Sequence, residues 1–542
     1  MNYQFFTQKK TGTPQSQPIP GREKEMIQGR SGGFMFNAGI WQMLRRCLLI
    51  GTAQSTYYAG KQELTEDFVQ VIKEAIATNP NKVAEEIVYA SDGRAINNSA
   101  PLFALVLLSM GATPEAKKAF QEIFPQVVRT GSHFYEWLSY TKAMRGFGKV
   151  VREVGKRWLS RENVKSLTYQ LLKYQQRYGF SHRDAKRLFH VQPPTEEHNA
   201  LFRWVVKGWD EMPTEIPTEA LAQIWWYEWL KRNPNKTHEA IAQGNLTHEM
   251  VAPVGKMDKQ AWQLLFDKMP IGAMLRNLGS LTELEVLRVD TPANLDRVEG
   301  VLNSSTYLRK GRIHPIDALK ALKTYQSGGR IGRSKKTWNP VGRIVDILEK
   351  AVELSFDVVE PTEKVFMHAV DISGSMSYGV VSSVGMSCCE IATTMALVTA
   401  KAEKNYAIRG FSTKFRDLGI SKKDSFRSAI RNGSATRCAK ASNQNFGGTD
   451  ASVAYDWMIK NKFKADIICF WTDSESWAGN SHPAQALAKY RQKVNENIRA
   501  VYVTLAPYGI TLVDPKDPLS WDLGGFDPGI PRLIQMLAQG EV

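Results

Sequence analysis

Asp371-Ile372-Ser373-Gly374-Ser375 places a carboxylate and two hydroxyls at alternate positions directly after an apolar stretch, Val365–Val370. A strand ending at a sheet edge turns sharply there. Three such oxygens can then converge on one point, the all-oxygen setting that Mg²⁺ prefers. Downstream come Gly447-Gly448-Thr449-Asp450 and a second apolar stretch, Ile467–Trp471, that ends in Thr472-Asp473. Asp371, Ser373, Ser375, Thr449 and Asp473 are therefore the candidate ligands of a divalent cation. A plainer reading has Ser373 and Ser375 turning the chain and capping the next helix, as serine commonly does. Capping would require neither Thr449 nor Asp473.

Other chemistry has little support. The five cysteines (Cys47, Cys388, Cys389, Cys438, Cys469) are odd in number, lack paired metal-ligand spacing, and read as reduced, mostly buried thiols. Neither a His-Glu-x-x-His pattern nor a phosphate loop is present, and no second-metal carboxylate cluster or general base is evident, so the chain is expected not to be an enzyme. A hydrophobic content of 43% excludes a disordered chain. No apolar run reaches the eighteen or so residues of a membrane span. Residues 1–30 mix Gln, Pro, Gly and charge without an apolar signal core; they read as a flexible tail rather than an export signal, which predicts a cytoplasmic protein.

At 542 residues the chain exceeds one typical core. From about Phe34 to Phe356 the pattern is helical, with short Gly, Pro and Asn stops. One helix is expected from near Thr65 to Asn79-Pro80, and another from the N-cap Thr113 with Pro114 at its first position. Such helices, paired and stacked, bury their apolar stripes only against neighbours and so build a solenoid. After Ser327–Pro340 and one further helix the signal changes. Val365–Val370, Tyr406–Phe411, Ile467–Trp471 and Ile498–Leu505 read as buried parallel strands separated by helices, a doubly wound sheet with its ligand loops at the strands' carboxyl ends.

The formal charge is +16, of which residues before 361 carry +12 (49 Lys+Arg against 37 Asp+Glu). That sign attracts polyanions. Lys142–His190 alone holds thirteen Lys+Arg against three acids. Arg145, Lys149, Arg152 and Lys156 recur at helical spacing opposite an apolar stripe of Phe147, Val150, Val151, Val154 and Trp158. The next helix, from near Ser160 to Gly179, is expected to place Lys173 and Arg177 on one face. Ser181 and Asp184 form a capping box that opens a short helix bearing Arg183, Lys186, Arg187 and His190. Arginine and lysine supply phosphate contacts, and His190 can stack on or hydrogen-bond an unpaired base. A solvated basic face and a structural histidine remain the plainer readings. Arg330, Arg333, Lys335 and Lys336 add a second basic cluster, either a backbone-following loop or a linker.

The five candidate ligands resemble the metal-ion-dependent adhesion site of von Willebrand factor A domains. That resemblance implies that some carboxylates act through water and that one coordination position is open to an acidic group from a partner. Both regions together resemble the Ro autoantigen family. The resemblance rests on Leu172–His190 (LKYQQRYGFSHRDAKRLFH), Leu275–Gly279 (LRNLG), Arg312–Pro315 (RIHP) with Ala321–Tyr325 (ALKTY), Val359–Pro361 ahead of Asp371–Met376 (DISGSM), and Trp471–Gly479 (WTDSESWAG). It implies a multidomain chain: a flexible tail (1–30), an all-α toroid of HEAT-like helical repeats, the TROVE ring (31–358), and an α/β doubly wound von Willebrand factor A domain (359–542) that bridges its ends. It further implies noncoding Y RNA on the outer basic surface, single-stranded ends of misfolded RNA in the central hole, and a role in RNA quality control. Lys173, Arg177 and His190 match positions associated with Y RNA, whereas Gln192 stands where many relatives have lysine. The compact form resembles bacterial or bacteriophage members, whose expected partner is a 3′ exonuclease, polynucleotide phosphorylase. A monomeric ring without membrane attachment is expected. The competing reading is a metal-dependent protein-adhesion scaffold.

Overall fold

A computed structural model describes residues 12–51, 61–329, 336–356, 361–377, 379–381, 386–433, 448–525 and 527–541. Cys438, Arg330, Arg333 and Lys335 lie outside them. From Ile40 to Leu354 the described chain is mainly helical, and its helices pack on near neighbours in sequence order. Local chemistry sets their limits. Asn79 accepts from the Lys82 amide at 3.0 Å ahead of Pro80, and Thr113 does the same for Ala116 ahead of Pro114. In both cases the cap satisfies an orphan donor, and proline occupies the first turn, where its missing N–H costs nothing. The helix expected from near Thr65 starts earlier, at Lys61.

The carboxyl-terminal domain is a six-stranded sheet in the order Ser520–Gly524, Arg499–Thr504, Ile467–Thr472, Val365–Asp371, Asn405–Phe411, Phe415–Asp417. All pairs are parallel except the last. Every residue of Ile467–Thr472 is buried, because helices cover both faces: Cys388–Ala402 and Ile530–Gln539 on one, Ser452–Lys460 and Pro483–Lys493 on the other. The chain leaves Val365–Asp371 toward Asn405–Phe411, then crosses back to Ile467–Thr472 on the opposite side. The connections therefore reverse direction between Val365–Asp371 and Ile467–Thr472, which opens a crevice at their carboxyl ends.

Both ends of the helical series return to this domain, so the helical region closes as a toroid. At one end Lys401 pairs with Glu353 of the last helix, and Lys323 with Glu390 at 2.9 Å. At the other, Arg46 of the Ile40–Ile50 helix reaches the sheet. Its guanidinium pairs with Asp522 and donates to the carbonyls of Tyr508 (2.6 Å) and Ile510 (2.7 Å); both charged side chains are 1% exposed. Asp527 adds a second tie through Tyr89 and Arg94.

The amino-terminal segment departs from expectation. From Gly12 onward it is a strap on the A-type domain, not a flexible tail. Met26–Gln28 pairs with Phe34–Asn37, which in turn pairs with Ile510–Thr511, and fully buried Gln15 bridges two loops of the domain. Polar composition misleads here, because backbone pairing and a few buried polar contacts hold the segment. Gly33 lies so close to Ser476 that a Cβ there would sit 2.3 Å from the Ser476 carbonyl oxygen.

Asp522→Ala leaves a guanidinium buried without its counter-charge and should destabilise the full chain by about 3–5 kcal/mol. Chemical denaturation measures this, and the double variant Arg46→Met/Asp522→Leu should recover part of the loss.

Candidate metal and nucleic-acid sites

Asp371, Ser373, Ser375 and Asp473 meet at the crevice between Val365–Asp371 and Ile467–Thr472, and Thr449 lies in the loop whose carbonyl accepts from the turn after Asp473. Asp371 ends its strand opposite Thr472, whose hydroxyl donates to it at 2.7 Å, while the Ser373 amide donates to its other oxygen at 2.9 Å. The Ser373 and Ser375 hydroxyls stand 3.0 Å apart, and Ser375 also hydrogen-bonds Asp473. All five residues are buried. Burial pushes the Asp371 carboxyl up to about 6. Asp473 rises too, through burial first and then the neighbouring Asp371 charge. Two carboxyls sharing a dry site resist ionising together unless a cation joins them. Thr449 supplies the second sign, since its buried Oγ1 finds no partner among the described residues. The residues present therefore fit a small oxygen-seeking cation.

Behind these ligands lies a layer the sequence reading missed. Gln15 donates to Asp450 at 2.9 Å and accepts from Ser476 at 2.6 Å, so one amide fastens the Thr449–Asp450 loop to the loop after Asp473. Buried Glu475 accepts from the Arg30 and Ser31 amides. More than 400 residues of chain separate Gln15 from these partners, and no local pattern marks it. Thr472 was legible in principle, as the hydroxyl preceding a strand-terminal aspartate.

The basic region is assembled differently from its sequence pattern. Lys149 and Arg152 are exposed on the Lys149–Leu159 helix, Lys156 beside them pairs with Glu153 at 3.6 Å, and Val151, Val154 and Trp158 are buried. Arg145 is not on that helix. It caps the preceding one, Gly131–Met144, and its guanidinium donates to the Ser109 carbonyl and hydroxyl (2.5 and 2.7 Å), which makes it a tie between helices.

The next expected helix also differs. It spans only Val164–Lys173, and Arg177 belongs to a hairpin, Gln176–Arg177 against Phe180–Ser181. The two-residue turn Tyr178-Gly179 has positive φ at both positions (50° and 76°), the geometry that matches strand twist in tight hairpins. Lys173 and Arg177 thus share no helix face. Lys173 is 13% exposed, donates to Tyr169 at 3.0 Å and lies 3.5 Å from Glu249. Arg177 is exposed.

Ser181 and Asp184 do form a capping box, opening the His182–Phe189 helix. Arg183 and Arg187 on it are exposed, Lys186 lies partly over the Phe202 ring, and exposed His190 ends it in a left-handed conformation (φ 50°). Lys336, from the second cluster, donates to Ser280 at 3.0 Å.

A helical toroid closed by a von Willebrand factor A-type domain is the architecture of the Ro proteins. Residues 365–538 match the Ro60 vWA domain and residues 245–327 the TROVE domain. The chain is similar to the RNA-binding protein RO60 of Deinococcus radiodurans, at 31% identity over 98% of both chains. It is also similar to RNA-binding protein RO60 of Caenorhabditis elegans, at 27% identity over 95% of this chain and 90% of that one. The crystal structure of the D. radiodurans RO (RSR) protein superposes with a TM-score of 0.67 and 29% identity, over 93% of this chain and all of that one. The chain belongs to the Ro60 family.

Mg²⁺ should raise the melting temperature of metal-stripped protein, and Asp473→Asn should remove that rise. Without a cation, Asp371 is pushed from its ordinary 3.8 to about 6, so the folded state holds its proton longer than the unfolded chain. Stability of the stripped protein should therefore fall as pH rises from about 4 through 6. Added Mg²⁺ should flatten that fall in a thermal-melt series.

Proposed function

We propose that this chain is a non-catalytic RNA-binding scaffold. The observation that carries the reading is the exposed cationic surface of Lys149, Arg152, Arg177, Arg183, Arg187 and His190, carried by two helices and the hairpin beside one of them, in a family whose curated relatives are named RNA-binding proteins. Side chains of this kind neutralise phosphates, while the exposed imidazole can meet an unpaired base. Lys173 takes a smaller part, because tyrosines and Glu249 hold its ammonium in place. Arg145 takes none directly.

Within this reading, noncoding Y RNA occupies the outer basic surface, single-stranded ends of misfolded RNA enter the hole of a monomeric ring, and the complex serves RNA quality control in the cytoplasm. A 3′ exonuclease of the polynucleotide phosphorylase type is the partner that such a scaffold would supply. Asp371, Ser373, Ser375, Thr449 and Asp473 would hold Mg²⁺, directly or through water. The ion would offer an acidic partner group a Lewis-acidic contact. The Thr449 hydroxyl, which has no partner among the described residues, favours this second activity, protein adhesion at the A-type domain, alongside RNA binding.

Filter binding of a structured RNA with a single-stranded 3′ tail tests the reading. Affinity should fall steeply with salt, with a log–log slope of roughly −0.7 per phosphate contact. Arg177→Ala should weaken binding roughly tenfold and make the slope shallower by about 0.7. Asp371→Ala should leave RNA affinity unchanged. Equal affinity for blunt duplex DNA across the salt range would reject it.

A further inference from the structure

Tyr178 is the outlier of the cationic surface. It occupies the first position of the hairpin turn at φ 50°, where Asn, Asp or Gly sits with little strain and a bulky aromatic residue does not. Backbone strain of this kind persists where the surroundings enforce it. Here the enforcing contact is visible: the phenol hydroxyl donates at 3.3 Å to buried Glu136, whose other oxygen accepts from Tyr140 at 3.1 Å. The hydroxyl is anchored, yet the residue is 52% exposed. A ring held at its far end with much of its surface in water gains nothing for the core.

Its surroundings are cationic. Arg177 precedes it and is exposed, its guanidinium resting on the Gln176 carbonyl at 2.9 Å. Lys142 lies 5.7 Å from the centre of the Phe180 ring, on the other side of the same turn. Arg183 is exposed in the first turn of the helix that follows. An immobilised aromatic face flanked by cations is the combination that single-stranded nucleic acids use, with bases stacking and phosphates pairing. A double helix cannot use it, because its base faces are already stacked.

Resting on the RNA reading above, we infer that Tyr178 is a stacking platform for one unpaired RNA base, with Arg177 and Lys142 taking the phosphates on either side of it. Glu136 acts as a positioning residue that fixes the plane of the ring.

Tyr178→Asn separates this role from folding, because asparagine suits the turn and removes the ring. The chain should stay folded, with its melting temperature lowered no further than the loss of one donor to Glu136 requires, and bind a tailed, structured RNA roughly 5- to 100-fold more weakly. Tyr178→Phe, which keeps the ring but loses its anchor on Glu136, should bind with an affinity between those of the wild type and Tyr178→Asn. Replacing tail nucleotides one at a time by abasic residues should weaken wild-type binding strongly at one position, and that position should cost the Tyr178→Asn chain nothing more. Wild-type affinity in Tyr178→Asn, or an equal loss on tailed RNA and on the same RNA without its tail, would overturn the platform while leaving the RNA reading in place. A wild-type chain that bound no RNA would remove both.

Discussion

One buried ion pair sets the architecture. Arg46 leaves the first helix of the toroid and enters the A-type domain, where Asp522 and two backbone carbonyls receive it. Taking two charges out of water is costly, and the geometry repays that cost only when the donors find acceptors. Here the two carbonyls lie along the segment that also receives the amino-terminal strap, and Asp522 lies on the edge strand of the sheet. The joint is directional: a purely apolar contact could slide, whereas this guanidinium fits one place. The circular arrangement of helices thus depends on a polar key in a dry lock, with Lys401–Glu353 on the opposite side as a more exposed counterpart.

The same domain concentrates oxygen ligands where its strand connections diverge. Asp371 and Asp473 arrive from adjacent strands, Ser373 and Ser375 from the turn after one of them, and Thr449 from a loop tied by Gln15 to the turn after the other. Backbone amides orient both carboxylates, and hydroxyls of Thr472 and Ser375 bond to Asp371 and Asp473 respectively. Burial raises both carboxyl groups, and Asp473 further through the Asp371 charge beside it.

Much of this could be read from the chain. The four expected strands lie in one parallel sheet, and Ser181 and Asp184 cap the helix they were read to open. Local chemistry was enough in each case: period, proline, a hydroxyl three residues before a carboxylate. The failures share a cause as well. Arg145 looked like one more step of a basic face, but its partner is Ser109, in a different helix. Arg177 looked helical because it follows Lys173 by one helical turn, but it belongs to a hairpin whose turn, Tyr178-Gly179, lacks the usual asparagine. The strap looked unstructured because its stabilising partners, Asp450, Glu475 and Ser476, are far along the chain.

That strap has a consequence for how the A-type domain could be borrowed or inherited. Gln15 and the Arg30-Ser31 amides satisfy polar groups directly behind the ligand loops, so the carboxyl-terminal fold is not a portable cassette. Excised at its apparent boundary, it would lose the strand paired with Ile510–Thr511 and the donors that reach Glu475 and Asp450 from the strap. Recombination that swapped such domains between proteins would have to bring along a fragment from the opposite terminus, a constraint that favours descent of the two halves as one unit.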